Sequence, residues 1–151
     1  MKKVLVVCLG NICRSPTGEA VLRAKALQKN VELEVDSAGT AAYHCGNPPD
    51  ERSQAAALKR GYSFKGIRAR QVELRDFEYF DLILAADKQN LADLKALCPA
   101  HLHYKLTLFL SYSANDVDQI PDPYYGGDNG FEQVLDLIED ASDVLLASLQ
   151  A

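Results

Sequence analysis

Val4-Leu5-Val6-Val7-Cys8-Leu9-Gly10-Asn11-Ile12-Cys13-Arg14-Ser15-Pro16 decides how the rest of the chain is read. The apolar run Val4 to Val7 suits a strand covered on both faces, and Ser15-Pro16 reads as the N-cap and first residue of a helix. The intervening residues form a loop in which no proline interrupts the backbone N–H groups from Leu9 to Ser15. Such amides, ending at a helix N-terminus, suit an anion such as phosphate. Gly10 admits positive φ and Asn11 tolerates the left-handed region, as a tight concave loop requires. Cys8 opens the loop and Arg14 closes it with a guanidinium fork that matches two oxygens of a phosphate. Cationic and helix-terminal surroundings favour the thiolate form of a cysteine, so Cys8 reads as a nucleophile. The plainer alternative, a small residue buried at a strand end, is what an isolated cysteine would suggest.

Outward from this loop, the composition bounds the protein class. The chain has 151 residues, 48% hydrophobic and 25% charged, which predicts one domain over 1–151 with a full apolar core. Met1-Lys2-Lys3 precedes too short an apolar run for a secretory h-region, and no run approaches a membrane span. A cytoplasmic protein is expected. The cysteines at 8, 13, 45 and 98 follow no zinc spacing and are expected as thiols, with Cys45 read as packing. The net charge of −5 argues against non-specific binding to nucleic acid or to anionic lipid.

Along the chain, Thr17 to Gln28 carries apolar residues at 20, 21, 24 and 27, one face of a helix. Val31 to Val35 alternates like a half-buried edge strand, ended by Asp36-Ser37-Ala38-Gly39-Thr40. Ser37 is read either as a donor supporting the first loop or as a turn serine. Ala41 to Pro49 is a loop, whose Tyr43 reads as a wall of a substrate cleft or as surface cover, and whose His44 reads as a surface histidine. Asp50 to Arg60 is a helix stopped by Gly61, and Arg68 to Val72 is an irregular basic segment. Asp81 to Ala86 is a buried strand, Lys88 to Leu97 a helix begun by Asp87, Lys105 to Leu110 a fourth strand and Phe131 to Leu149 a long final helix. Asp128 reads as the cap of that last helix. Strands alternating with helices predict an α/β fold: a four-stranded parallel sheet with helices on both faces and the anion-binding loop at a carboxyl edge.

A second chemical element is Pro121-Asp122-Pro123-Tyr124-Tyr125-Gly126. Prolines on both sides hold the Asp122 carboxyl on a stiff turn, a setting suited to proton delivery and to simple turn formation alike. Transfer of phosphate from an aryl ester to Cys8 needs such a proton donor, and hydrolysis of the phosphocysteine needs the same group as a base.

Taken together, Val-Cys-Leu-Gly-Asn-Ile-Cys-Arg-Ser-Pro near the start and Asp-Pro-Tyr-Tyr-Gly near the end resemble the low-molecular-weight protein tyrosine phosphatases. Asp36-Ser37-Ala38-Gly39, Gly46-Asn47-Pro48-Pro49-Asp50, Ala69-Arg70-Gln71 and Asp87-Lys88-Gln89-Asn90-Leu91 extend the resemblance over almost the whole chain. It implies Cys8 as nucleophile, Arg14 for phosphate binding and Asp122 as general acid, then base. It implies that Ser15 hydrogen-bonds the departing thiolate, that Asn11 and Ser37 hold the loop together with Gly10 and Cys13, and that Leu9, Ile12, Tyr43, Tyr124 and Tyr125 line a phosphotyrosine cleft. It further implies no metal, no cofactor, a phosphotyrosine protein such as a tyrosine kinase as substrate, and a monomer or weak homo-oligomer. Oxidised Cys8 would either be rescued as a disulfide with Cys13 or find Cys13 merely packed beneath it. One departure is Ile67, where the family commonly has a histidine behind the loop, so different loop support is expected. The competing functions are an arsenate reductase, which would need a cysteine relay, and a cysteine phosphocarrier domain, which would leave Asp122 unexplained. A nucleotide-binding P-loop is excluded because Gly-Lys-Ser/Thr is missing after the first strand.

Overall fold

The computed structural model describes residues 1–113, 117–123 and 129–150. Strand β1 (Lys2–Cys8) leads through the loop into helix α1 (Arg14–Gln28), followed by β2 (Leu33–Gly39), α2 (Glu51–Leu58), α3 (Leu74–Tyr79), β3 (Leu82–Ala85), α4 (Lys88–Leu97), β4 (Leu106–Leu108) and α5 (Asn129–Gln150). The strands form one sheet in the order β2-β1-β3-β4, every pairing parallel. Parallel pairing leaves both faces of β1 to be covered, and its side chains alternate accordingly. Val4, Val6 and Cys8 enter a core with residues of α1, α2 and α5, while Leu5 and Val7 enter a second core with Phe77, Leu94 and Ile83. The α/β architecture with helices on both faces is therefore as the sequence predicts.

Several local readings need correction. Helix α1 begins at Arg14 after Cys13, so Ser15 and Pro16 lie inside its first turn and Ser15 caps nothing. Its hydroxyl is instead engaged with the loop. The apolar stripe of α1 includes Ala20, Val21, Leu22 and Ala26, while Leu27 faces solvent. Strand β2 starts two residues later than its alternation suggests and runs on to Gly39, because register with β1 carries Ser37 and Ala38 into the sheet opposite Val6 and Val7. Helix α3, six residues long, is too short for a helical period to be visible in the sequence and is an addition to the predicted elements. Strand β4 is confined to Leu106–Leu108 because 3₁₀ turns at Ala100–Lys105 and Phe109–Tyr112 take up both of its ends. Cys45 is exposed, not packed. Asp50 caps α2, accepting from the N–H groups of Arg52 and Ser53. The predicted cap of α5, Asp128, lies outside the described residues.

Two close approaches set the site against the sheet. A Cβ on Gly18 would stand 2.9 Å from Val6 Cγ1 and 3.0 Å from Phe109 Cε2, so α1 lies directly on β1. A Cβ on Gly39 would stand 2.7 Å from the carbonyl oxygen of Leu9, so the end of β2 is pressed on the loop. Gly18→Ala would gain about 1 kcal/mol in helix propensity but incur about 1–3 kcal/mol of overpacking against buried, unyielding neighbours. A net loss of stability is expected, read as a lower urea midpoint than the parent's. A midpoint at or above the parent's would show that α1 can lift from the sheet without cost.

Candidate active site

The loop from Cys8 to Arg14 curls at the carboxyl end of β1 and is braced from β2 and the segment that follows it. Thr40 N–H donates to the Cys8 carbonyl at 2.9 Å and Ala41 N–H to that of Leu9 at 3.0 Å. On the other flank Asp50 N–H donates to the Ile12 carbonyl at 2.8 Å. The left-handed residue is Asn11, with φ +57°, and Gly10 is not among the positive-φ residues. Gly10 serves instead by its size, since a Cβ there would meet His44 Cδ2 at 3.0 Å.

Asn11 is fully buried, and its side chain turns the loop into a hydrogen-bonded ring. Its Oδ1 accepts the Arg70 N–H at 2.9 Å, and its Nδ2 donates to Ser15 Oγ at 2.8 Å and to Ser37 Oγ at 3.0 Å. Ser37 passes its own hydroxyl proton to Glu19 Oε1 at 2.6 Å. Ser15, already an acceptor from Asn11, has its single proton to direct at Cys8 Sγ, 3.0 Å away, or at the Ala38 carbonyl, 3.4 Å away. Against an ionised sulfur only the hydroxyl can donate across the shorter contact. The Asn11–Ser37 contact thus forms with Ile67 in place of histidine, and Ile67 is simply buried in the core.

Glu19 stands in no local motif. It is buried and bonded to Ser37 and to Arg23. Burial, outweighing those two partners, raises its pKa above the ordinary glutamate range. Arg70 ties the basic segment down through Asp36 and Asp76 while its backbone holds Asn11. Nothing but the fold connects these residues, and no local spacing could have found them.

Arg14 is 3% exposed. Its Nη1 donates to Asp87 Oδ2 at 2.6 Å and to the Ile120 carbonyl at 3.1 Å, and its Nη2 stands 3.8 Å from Asp122. Burial works against its charge, but Cys8 and then Asp87 and Asp122 outweigh it and raise its pKa above the ordinary arginine value. Asp87 begins α4 as the sequence predicts and also serves the site, because its Oδ1 caps the helix through the Asn90 N–H at 2.7 Å while its Oδ2 takes Arg14.

These groups converge on a cleft lined by Cys8, Leu9, Gly10, Ile12, Cys13 and Arg14 from the loop, with Tyr43, His44 and Asp122 around it. Tyr43 is largely exposed, an apolar ring at the rim. Tyr124 and Tyr125 lie outside the described residues. Burial, followed by the charge of Asp50, pushes the Cys13 thiol up to about 12, so it stands neutral near pH 7. Cys98 is buried in the second core with Phe77 and Leu94, on the face of the sheet opposite α1. Among the described residues, no group of three or more His, Cys, Asp or Glu side chains could hold a metal ion, and no helix is long and apolar enough to cross a membrane.

The arrangement offers a sulfur nucleophile with a hydroxyl donor behind it, a buried fork of positive charge beside it, and a carboxyl across the opening. That is the equipment for displacement at a phosphate ester. The family described as low molecular weight phosphotyrosine protein phosphatase matches the chain over residues 3–151. The low molecular weight protein-tyrosine-phosphatase YfkJ of Bacillus subtilis is 42% identical over 99% of this chain and 97% of its own. The low molecular weight phosphotyrosine protein phosphatase of Rattus norvegicus is 46% identical over 88% of this chain and 86% of its own. Among solved structures, a protein tyrosine phosphatase of Entamoeba histolytica superposes with a TM-score of 0.95 at 38% identity, covering 99% of this chain and 97% of that one.

The raised pKa of Glu19 carries a signed consequence for stability. The folded protein holds this proton more tightly than the unfolded chain, so the Glu19 contribution falls as pH rises from the unfolded glutamate value, about 4.3, through the higher folded value. It is constant below and above that window. The stability difference between parent and Glu19→Gln, from urea midpoints at a series of pH values, should therefore move against the parent across the window. A pH-independent difference would show that Glu19 keeps the same affinity for its proton on folding.

Proposed function

Because the chain belongs to the low-molecular-weight phosphotyrosine protein phosphatases, hydrolases of phosphate monoesters, we propose that Cys8, Arg14 and Asp122 divide the reaction as nucleophile, phosphate clamp and proton carrier. The observation that carries this reading is the placement of Arg14, between the Cys8 loop and Asp122. Phosphate bound at the loop meets the guanidinium on one side and the sulfur on the other. Cys8 Sγ attacks phosphorus, and the P–O bond to the tyrosine ring breaks as Asp122 donates its proton to the departing oxygen. The product is a phosphocysteine. Water then attacks phosphorus, Asp122 takes its proton, and the P–S bond breaks with the sulfur pair returning to Cys8. The Ser15 hydroxyl, 3.0 Å from Sγ, stabilises the sulfur as it leaves. Arg14 and the loop amides neutralise the charge gathered on the equatorial oxygens in both steps.

Leu9, Ile12 and Tyr43 flank the path of a planar ring toward Cys8. Gly10 and Asn11 shape the floor, and Ser37 and Cys13 support it. The protein groups supply nucleophile, charge and proton, so the reaction runs without metal or cofactor. The substrate is a protein phosphorylated on tyrosine, with a tyrosine kinase as one such partner, and 1–151 works as one phosphatase domain, as monomer or weak homo-oligomer. A nucleophilic thiol requires a reducing compartment, which the cytoplasm provides.

Two measurements test the assignment. Hydrolysis of p-nitrophenyl phosphate in the presence of a chelator is expected from the parent and should be lost in Cys8→Ser; full activity of the variant would remove Cys8 from the mechanism. Asp122→Ala should slow hydrolysis of an aryl phosphate with a poor leaving group by about 100-fold, the usual scale of general acid catalysis, and far less where the leaving group needs no proton. An equal loss on both substrates would remove the proton-donor role.

A further inference from the structure

Asp122 owes its position to helix α4, and the attachment lies three residues upstream of it. We propose that Gln119 is a positioning residue for Asp122, its side-chain oxygen latching the acid-bearing segment to the first backbone N–H of α4. The proposal rests on the reading of Asp122 as the proton carrier.

The first turn of a helix leaves its N–H groups without intrahelical partners. In α4 the Asn90 N–H goes to Asp87 Oδ1, and the other oxygen of that carboxylate is taken by Arg14. The Lys88 N–H is met by Gln119 Oε1 at 2.9 Å, a residue 31 positions away. The next residue continues the seam, with Ile120 N–H donating to the Ala86 carbonyl at 2.8 Å and the Ile120 carbonyl accepting from Arg14 Nη1 at 3.1 Å. The Ile120 side chain is 1% exposed. Residues 86, 87 and 88 thus hold the acid segment, Arg14 and the acid segment again.

Between the latch and Asp122 stand only Ile120, which shares the seam, and Pro121, whose φ is locked, so a shift of the seam on α4 reaches the Asp122 carboxyl with little slack to absorb it. The neighbouring Lys88–Asp118 ion pair at 3.4 Å has both side chains more than half exposed, so it adds little. Gln119 is itself exposed. Its replacement removes the latch without opening a cavity, so the fold is kept while the acid segment loses its side-chain tie to the first amide of α4.

The test reads kcat/KM for phenyl phosphate, whose leaving group needs a proton, against 2,4-dinitrophenyl phosphate, whose leaving group does not. Gln119→Ala is expected to lose about 10-fold on the first substrate and less than about 2-fold on the second, the scale of a modest misplacement of a reacting group. Gln119→Glu, which keeps an acceptor oxygen at the helix N-terminus, is expected to restore most of the loss. The same bond is removable from its other end. Lys88→Pro deletes the N–H at a helix position where proline fits, after an Asp87 whose φ of −145° and ψ of 175° suit a following proline. Lys88→Ala loses the same side chain but keeps the N–H, so the leaving-group-dependent loss should appear in Lys88→Pro relative to Lys88→Ala, and should not add to that of Gln119→Ala.

Equal losses on both substrates in Gln119→Ala, or identical behaviour of Lys88→Pro and Lys88→Ala, would overturn the latch. Asp122→Ala measured alongside separates the two readings. If it shows the leaving-group-dependent loss while Gln119→Ala does not, only the latch fails. If it shows none, the assignment of Asp122 fails and the latch falls with it.

Discussion

A guanidinium removed from water has to be met by negative charge and by hydrogen-bond acceptors, and in this protein the surroundings of Arg14 are built to meet that need. The arginine leaves the loop as the first residue of α1 and enters a space closed by the start of α4 and by the segment carrying Asp122. Leaving such a charge buried without a partner would cost several kcal/mol. Asp87 and the Ile120 carbonyl supply the acceptors, and both belong to elements that otherwise have no sequence connection with the loop. The same contacts that compensate the buried charge bring a carboxyl group within 4 Å of it, on the open side of the cleft. Stability and chemistry therefore share one set of bonds.

The loop itself is held by a different device. Asn11 sits in the left-handed region, which a short polar side chain tolerates better than most, and its amide then serves Ser15 past the end of the curl, Ser37 on the neighbouring strand and the Arg70 backbone. Because its oxygen is engaged by the Arg70 N–H, its two protons are committed to Ser15 and Ser37, and the direction of every bond in the ring follows. Glu19 can only accept while ionised, which draws the Ser37 proton away from Asn11 and leaves the Ser37 oxygen free to receive. The consequence at the end of the chain is a hydroxyl proton available to the cysteine sulfur. Behind the loop Ile67 adds only apolar packing, and the polar support comes from Glu19 and Arg23 on α1.

Much of this was open to inspection in the chain. The apolar run Val4 to Val7, the alternation of strand and helix patterns, and the cysteine and arginine bracketing a loop without proline led to a parallel sheet and an anion site at its edge. What escaped inspection has identifiable causes. Ser15 looked like a helix cap because the side chains that enlist it, Cys8 and Asn11, act across the curl and not along the helix. Strand β2 looked shorter than it is because Asp36-Ser37-Ala38-Gly39 has the composition of a turn, and only pairing with β1 holds it extended. Gly10 looked like the left-handed residue, and the strain fell instead on its neighbour, with Gly10 kept small by His44.

Sequence alone determined the alternation of the four strands with their longer helices and singled out Cys8, Arg14 and the stiff turn of Asp122 as candidates, because each is written in adjacent residues whose periodicity, backbone restriction or side-chain chemistry is local. Tertiary structure alone decided the partners: that Asp87 serves Arg14 as well as α4, that Glu19 underlies the loop, and that Gln119 meets the first amide of a helix 31 residues earlier. Those bonds join residues far apart in the chain, and a donor has no preferred acceptor until packing of the sheet and its helices excludes water and leaves one within reach.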